Sequence, residues 1–85
     1  MLSKMRIAQN ITFNEGKENP KTLVIKLEDR VVNFYHEGMK IGSSCAGLME
    51  KYLKDDVQDL QNKYHFDKID VDPKIEMKYL FGLEF

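Results

Sequence analysis

Apolar and polar residues alternate along the first part of the chain in the manner of β-strands. In residues 5–14, Ile7 and Ile11 stand at odd positions and polar residues fill most of the even ones, which is the period of a half-buried strand. The segments 22–27 (TLVIKL) and 30–38 (RVVNFYHEG) are rich in β-branched and aromatic residues and flank a short acidic turn. These features predict three strands, the second and third of which form a hairpin.

A helix over residues 21–37 is an alternative interpretation of the same region. Leu23, Leu27 and Val31 also recur at helical spacing. We favour strands because the segment lacks alanine and is rich in residues with high β propensity.

The period of the apolar residues changes to about 3.6 after these strands. From Cys45 to Tyr64 an apolar residue recurs every three or four positions, and charged residues occupy the opposite side. This pattern predicts a helix of roughly twenty residues that begins at Ser43 or Ser44. The acidic pair at 55–56 is able to cap a second helical segment, so a break or bend at that point is left open.

The clearest alternation is found in residues 74–85, KIEMKYLFGLEF, where every odd position is apolar. It predicts a long strand with one apolar face. Because an unpaired apolar edge strand promotes aggregation, we expect it to pair with residues 5–14, within one chain or across a two-fold axis. The resulting order β-β-β-α-β predicts an α+β fold, an antiparallel sheet of about four strands packed on one long helix.

Length and composition indicate one small globular domain over residues 1–85. The net charge of −1 gives no overall basic field for nucleic acid. No apolar stretch is long enough to span a membrane, no secretory signal is evident, and the single cysteine cannot form an internal disulfide. We therefore expect a cytoplasmic protein that does not associate with membranes.

The single cysteine lies in GSSCAG (42–47), where the strand pattern gives way to the helical one. Amides at a helix N-terminus favour a thiolate, so Cys45 is a candidate nucleophile with His36 or His65 as its base. The motif matches neither G-x-S-x-G nor the P-loop. We favour a structural role, in which a serine caps the helix and Cys45 packs in the core, and predict no catalytic residue.

Three carboxylates lie close together in DKIDVD (67–72), namely Asp67, Asp70 and Asp72. Such a group could bind Mg²⁺ or Ca²⁺, but the glycine and glutamate of the EF-hand loop are missing. We interpret the group as a solvated turn, and predict no metal and no cofactor.

Aromatic residues suggest a stacking surface for single-stranded nucleic acid as an alternative function. The rings concerned are Phe34, Tyr35, Tyr79 and Phe81, with Lys26, Arg30 and Lys78 as nearby cations. Interspersed glutamates dilute this positive charge, so we do not favour it.

The function that we favour is a non-catalytic binding or inhibitory module, a regulator or inhibitor of a larger complex that acts through protein–protein contacts. A chain of this length uses nearly all its apolar side chains in its own core, and it shows no acid/base pair at a recognisable spacing. We expect a homodimer whose partner-binding residues lie on the acidic helix face and the last strand: Glu50, Asp55, Asp56, Asp59, Tyr79, Phe81 and Phe85. An enzyme that uses Cys45 is the second alternative.

Overall fold

The structure, a computed structural model, describes residues 9–84 of the chain apart from the side chains of residues 48–50. Within these residues the fold is α+β, as predicted. The elements are β1 (Gln9–Thr12), β2 (Thr22–Glu28), β3 (Val31–His36), β4 (Met39–Cys45), α1 (Lys54–Tyr64) and β5 (Lys68–Val71). A 3₁₀ turn (Ala46–Leu48) and a π-helical turn (Met49–Leu53) precede α1, and a second 3₁₀ turn (Met77–Leu80) follows β5.

The strands form a mixed sheet in the order β1-β5-β2-β3-β4. β2, β3 and β4 pair antiparallel in succession. After α1 the chain inserts β5 between β1 and β2, antiparallel to β1 and parallel to β2. The predicted antiparallel sheet is therefore wrong in this respect, because the crossover through α1 returns the chain in the direction of β2.

The predicted β2–β3 hairpin is confirmed, and the helical alternative for residues 21–37 is wrong. The two strands pair from Val24 opposite Tyr35 to Glu28 opposite Val31. The connecting residues Asp29 and Arg30 both have positive φ, 48° and 66°. Positive φ at both central positions belongs to the turn whose twist matches that of the flanking strands.

One face of the sheet is covered by α1 and by the chain that follows β5. Because side chains of a strand alternate between faces, every second residue of β2, β3 and β5 enters the core beneath the helix. The buried apolar residues are Leu23, Ile25, Val32, Phe34, Leu53, Val57, Phe66, Ile69, Val71, Ile75 and Leu80. The opposite face carries polar residues such as Lys26, Asn33 and Asp70.

The predicted helix start at Ser43 or Ser44 is wrong, because both residues belong to β4. α1 itself has 11 residues and begins at Lys54. This start is next to the acidic pair at 55–56, where the sequence allows a break in the predicted helix. Ser44 pairs with Val32 of β3 and is 8% exposed. Strand pairing therefore extends through the small residues that had resembled a helix cap.

The strand predicted over residues 74–85 is also wrong. Leu80, an even position of the pattern, is 2% exposed, whereas Phe81, an odd position, is 73% exposed. The segment turns through 3₁₀ geometry and returns to α1, where Gln58 makes two hydrogen bonds with the backbone of Glu84, of 2.9 and 2.8 Å. The described part of the segment thus offers no strand for the dimer that the pattern predicts.

Candidate functional site

β4 forms one edge of the sheet, and no other strand of residues 9–84 pairs with its outer side. At its end, the Ala46 N–H donates to the Arg30 C=O (3.1 Å). Because ladder bonds of an antiparallel pair alternate along the strand, the Ser44 backbone points to β3, and the N–H and C=O groups of Ser43 and Cys45 point outward. The Ser43 N–H and C=O and the Cys45 N–H are the groups that a further strand can meet, because the Cys45 C=O accepts the first hydrogen bond of the 3₁₀ turn that begins at Ala46.

The two halves of β4 differ in their protection against such pairing. Natural edge strands are usually blocked by charges, prolines or bulges. The first half of β4 contains Lys40, and a bulge interrupts the register opposite Phe34 and Tyr35. Residues 42–45, GSSC, contain no charge, no proline and no register shift. The second half is therefore the exposed pairing surface.

A groove runs between this half of β4 and the helix, which we call the β4–α1 groove. Its volume is about 180 Å³, and its lining residues are Phe34, Gly42, Ser43, Asp56, Asp59 and Leu60. A Cβ atom at Gly42 would lie 3.4 Å from the Phe34 ring, so the absence of a side chain keeps the floor open. The groove thus has an apolar floor and an acidic wall.

The structure brings together only part of the predicted binding residues. Asp56 and Asp59 line the groove, whereas Asp55 lies in the first turn of α1 outside the lining residues. Tyr79 is half-buried against the core and Phe81 is exposed on the C-terminal segment.

Two further predicted residues have side chains outside the described part of the chain. Glu50 lies in the π-helical turn, and its side chain is outside the described part of the chain. Phe85 lies outside the described residues. The edge of β4 itself was missed; the apolar pair Met39 and Ile41, separated by Lys40, was the local signal for a strand there.

Cys45 is exposed on β4, so its predicted burial is wrong. It pairs with Val31 at the start of β3, whereas His36 ends that strand, roughly 16 Å away at strand spacing. His65 precedes Phe66, whose ring centroid lies 5.3 Å from that of His36, so both histidines belong to the far end of the sheet. The structure therefore does not bring either proposed base to Cys45.

Asp67 holds the loop between β1 and β2 rather than forming part of a solvated turn. The Lys21 N–H donates to its Oδ2 (2.8 Å), and Asn14 Nδ2 donates to its Oδ1 (3.2 Å). Lys17 Nζ lies 3.0 Å from Oδ2. These contacts, chiefly the Lys21 amide, lower the pKa of Asp67 to about 2. The Asp67 side chain is 11% exposed, so its predicted solvation is wrong.

Asp72 ties the end of β5 to the end of β2. Its carboxylate accepts hydrogen bonds from the backbone amides of Leu27 and Lys74, both at 3.0 Å. Burial raises the pKa of Asp72, but the two amide bonds and the charges of Lys74 and Lys26 together outweigh it, so the pKa lies below its usual value. Of the three carboxylates in 67–72, Asp70 lies 3.5 Å from the Lys68 ammonium at a partly exposed position. The outer two therefore serve the fold.

The stability of the Asp67→Asn variant is expected to fall less in acid than that of the wild type. The carboxyl pKa is about 2 in the folded protein and about 3.9 in an unfolded chain. Its ionised form therefore favours folding above about pH 4, and this contribution is lost as the pH falls from about 4 to 2. Urea denaturation at a series of pH values from about 2 to neutrality should show that the free energy of unfolding depends less on pH in the variant than in the wild type.

Asp70→Asn is the matched control for this experiment, since its side chain is 40% exposed. It should follow the wild-type curve. Wild-type and Asp67→Asn proteins with equal slopes would contradict the role of Asp67.

The open face of the sheet does not assemble the predicted aromatic surface. Phe34 is buried under α1, and Tyr35 projects from the opposite face. The Tyr35 hydroxyl donates to Glu28 (2.6 Å), which also accepts from Asn33 (2.8 Å). These bonds, first that of Tyr35, lower the pKa of Glu28, and Lys26 Nζ lies 5.4 Å from the Tyr35 ring centroid. Of the four predicted rings, Tyr35 therefore lies on this face of the sheet, where it belongs to a polar network.

Compared with known protein families, curated proteins and solved structures, the chain shows no significant match. Among residues 9–84, no helix has the length and apolar character required to cross a membrane. Within the same residues, histidine, cysteine and acidic side chains do not form a cluster able to hold a metal ion. The β4–α1 groove and its adjoining edge form the candidate site.

Proposed function

We propose that this protein is a non-catalytic binding module, a regulator or inhibitor of a larger complex, that takes an extended segment of another protein as an additional strand beside β4. The observation that carries the proposal is the unprotected second half of β4 beside the β4–α1 groove. In strand addition, main-chain hydrogen bonds supply affinity, and pockets for alternate side chains supply specificity. Here residues 42–45 would supply the main-chain hydrogen bonds, and the groove would supply a pocket for side chains.

An exposed apolar residue lies on the same strand, on the other side of the bulge from residues 42–45. Met39, at the start of β4, is 71% exposed. It pairs with His36, whose ring contacts Phe66 in the core, so Met39 stands on the helix side of the sheet together with the groove. A bound segment would cover it only if the segment continued past the bulge.

Another protein is a better fit to this site than a second copy of the chain or a nucleic acid. If two copies paired through β4, each would bring the same carboxylates, Asp56 and Asp59, to the interface, and like charges that face each other oppose association. The same carboxylates would repel a phosphate backbone. The proposed setting is the cytoplasm, where a lone thiol such as Cys45 stays reduced.

The Ser43→Pro variant tests whether the edge of β4 binds a partner. Proline removes an N–H that points outward, so the β3–β4 ladder stays intact, while pairing with a new strand is blocked. Ser43→Ala is the matched control, because it keeps the amide and removes only the hydroxyl. Circular dichroism and thermal denaturation should show that both variants fold.

The readout is affinity capture from the host with all three proteins as bait, followed by mass spectrometry. We expect at least one partner that is captured by the wild type and by Ser43→Ala and is lost with Ser43→Pro. If the same proteins are captured by all three baits, the edge is not the binding surface.

A further inference from the structure

We infer that the segment bound beside β4 is basic, with lysine or arginine side chains on its helix-facing side that pair with Asp56 and Asp59. This inference rests on the proposed function, since it concerns the chemistry of the same groove. It assigns a positive charge to the partner segment and a spacing to its basic residues. Three features of the groove lead to it: unpaired carboxylates, their separation and the apolar floor beneath them.

The two carboxylates have no cationic partner in the described part of the chain. No lysine, arginine or histidine nitrogen lies within 4 Å of Asp56 or Asp59 there, although Asp67, Asp70 and Asp72 each have a lysine within that distance. Lys63 follows Asp59 by four residues, a spacing that commonly gives an ion pair on a helix. Its ammonium lies instead 5.5 Å from the centroid of the Tyr64 ring. The acidic wall is therefore open to an external cation.

The separation of the two carboxylates matches the repeat of a strand. Asp56 and Asp59 are three residues apart on α1, so they project from the same side with Cβ atoms about 5–6 Å apart. Side chains on one face of a strand, at positions i and i+2, are about 7 Å apart. Basic residues at two such positions of an added strand would each meet one carboxylate.

The floor of the groove suits long basic side chains. Half-buried Leu60 provides apolar surface beside the acidic wall, and the buried Phe34 ring also borders the groove. Lysine and arginine lay their aliphatic stems along such surface while the charged head reaches a polar partner. A metal ion is a poorer occupant, because hard cations require about six oxygen ligands and the groove presents two carboxylates.

Three synthetic peptides of equal length test the inference. Each alternates threonine with one other residue, lysine in the first peptide, glutamine in the second and glutamate in the third, and both ends are blocked. Binding to the isotopically labelled protein is followed by NMR at low ionic strength. Two partly exposed ion pairs should make the lysine peptide bind about three- to tenfold more tightly than the glutamine peptide, and the glutamate peptide should bind most weakly.

Variants of α1 show whether the preference comes from the groove. With Asp56→Asn/Asp59→Asn the lysine and glutamine peptides should bind equally. Asp55→Asn, which removes a neighbouring charge outside the groove, should keep most of the wild-type preference. Added salt should reduce the preference, since partly exposed charges are screened.

The outcomes separate this inference from the proposed function. Equal binding of the lysine and glutamine peptides, with amide shifts at Ser43 and Cys45, would overturn the basic partner and leave strand addition in place. A lysine preference that survives Asp56→Asn/Asp59→Asn would also overturn it. If no peptide shifts the amides of residues 42–45, both the inference and the proposed function fail.

Discussion

Replacement of Gln61 by alanine is expected to lower the free energy of unfolding by about 2–4 kcal/mol. Gln61 is 4% exposed, and its amide bridges the turn between α1 and β5. Its Nε2 donates to the Phe66 C=O (3.0 Å), and the Phe66 N–H donates to its Oε1 (2.8 Å). Alanine would leave both backbone groups buried without a partner, at a cost well above that of a lost exposed hydrogen bond. Urea denaturation at neutral pH measures the change.

Gln58 is a matched control on the same helix. It makes the same pair of hydrogen bonds, to the backbone of Glu84, but at an exposed position. Water replaces the lost partners in Gln58→Ala, so we expect a loss of about 1 kcal/mol or less. A Gln61→Ala loss no larger than that of Gln58→Ala would show that the buried bridge does not stabilise the fold.

Replacement of Leu80 by alanine is expected to cost about 2–5 kcal/mol, in the range for removal of a buried leucine side chain. Leu80 is 2% exposed and belongs to the main core, where it helps to hold the segment after β5 against α1. Thermal and urea denaturation check this result. The experiment decides directly between the observed 3₁₀ turn and the strand that the alternating pattern predicts.

For the neighbouring variant Phe81→Ala we expect the opposite result, almost no loss of stability. Phe81 is 73% exposed, so its truncation should change stability by no more than about 0.5 kcal/mol. In a strand with the predicted apolar face, Phe81 would be buried and Leu80 would face solvent. A large loss for Phe81→Ala together with a small loss for Leu80→Ala would therefore contradict the observed packing.

The parts of the fold that could be predicted have strong local signals. The β2–β3 hairpin combines β-branched residues with a short turn, and both its strands stay within two residues of their predicted bounds. Leu53, at the end of the π-helical turn, and Val57 and Leu60 of α1 recur at helical spacing, and all three pack in or against the core. In both regions the local preference and the final packing agree.

β4 could not be predicted in the same way because tertiary pairing determines it. Gly42, Ser43 and Ser44 have low β propensity, and small polar residues before a helical pattern resemble a cap. Their strand conformation depends on β3, opposite Phe34, Asn33 and Val32. Only knowledge of that pairing distinguishes a strand from a helix start here.

The segment after β5 was mispredicted because it satisfies two periods at once. Met77, Leu80 and Leu83 recur every third residue, the period of a 3₁₀ helix, while the odd positions of 74–85 alternate as in a strand. Burial of Leu80 selects the first pattern. Likewise, Asp56 and Asp59 were predictable as acidic helix positions, but their relation to Ser43 across the groove required the three-dimensional structure.

Amide hydrogen exchange at Ser43 and Cys45, measured by NMR with and without the alternating lysine–threonine peptide, tests the central claim most directly. These amides point away from β3, whereas that of Ser44 points toward it. Strand addition predicts that the peptide slows exchange at Ser43 and Cys45 in the wild type and leaves Ser44 unchanged. Unchanged exchange at both residues under saturating peptide, or protection confined to the open face of the sheet or to residues 73–84, would contradict the proposal that β4 receives a partner strand.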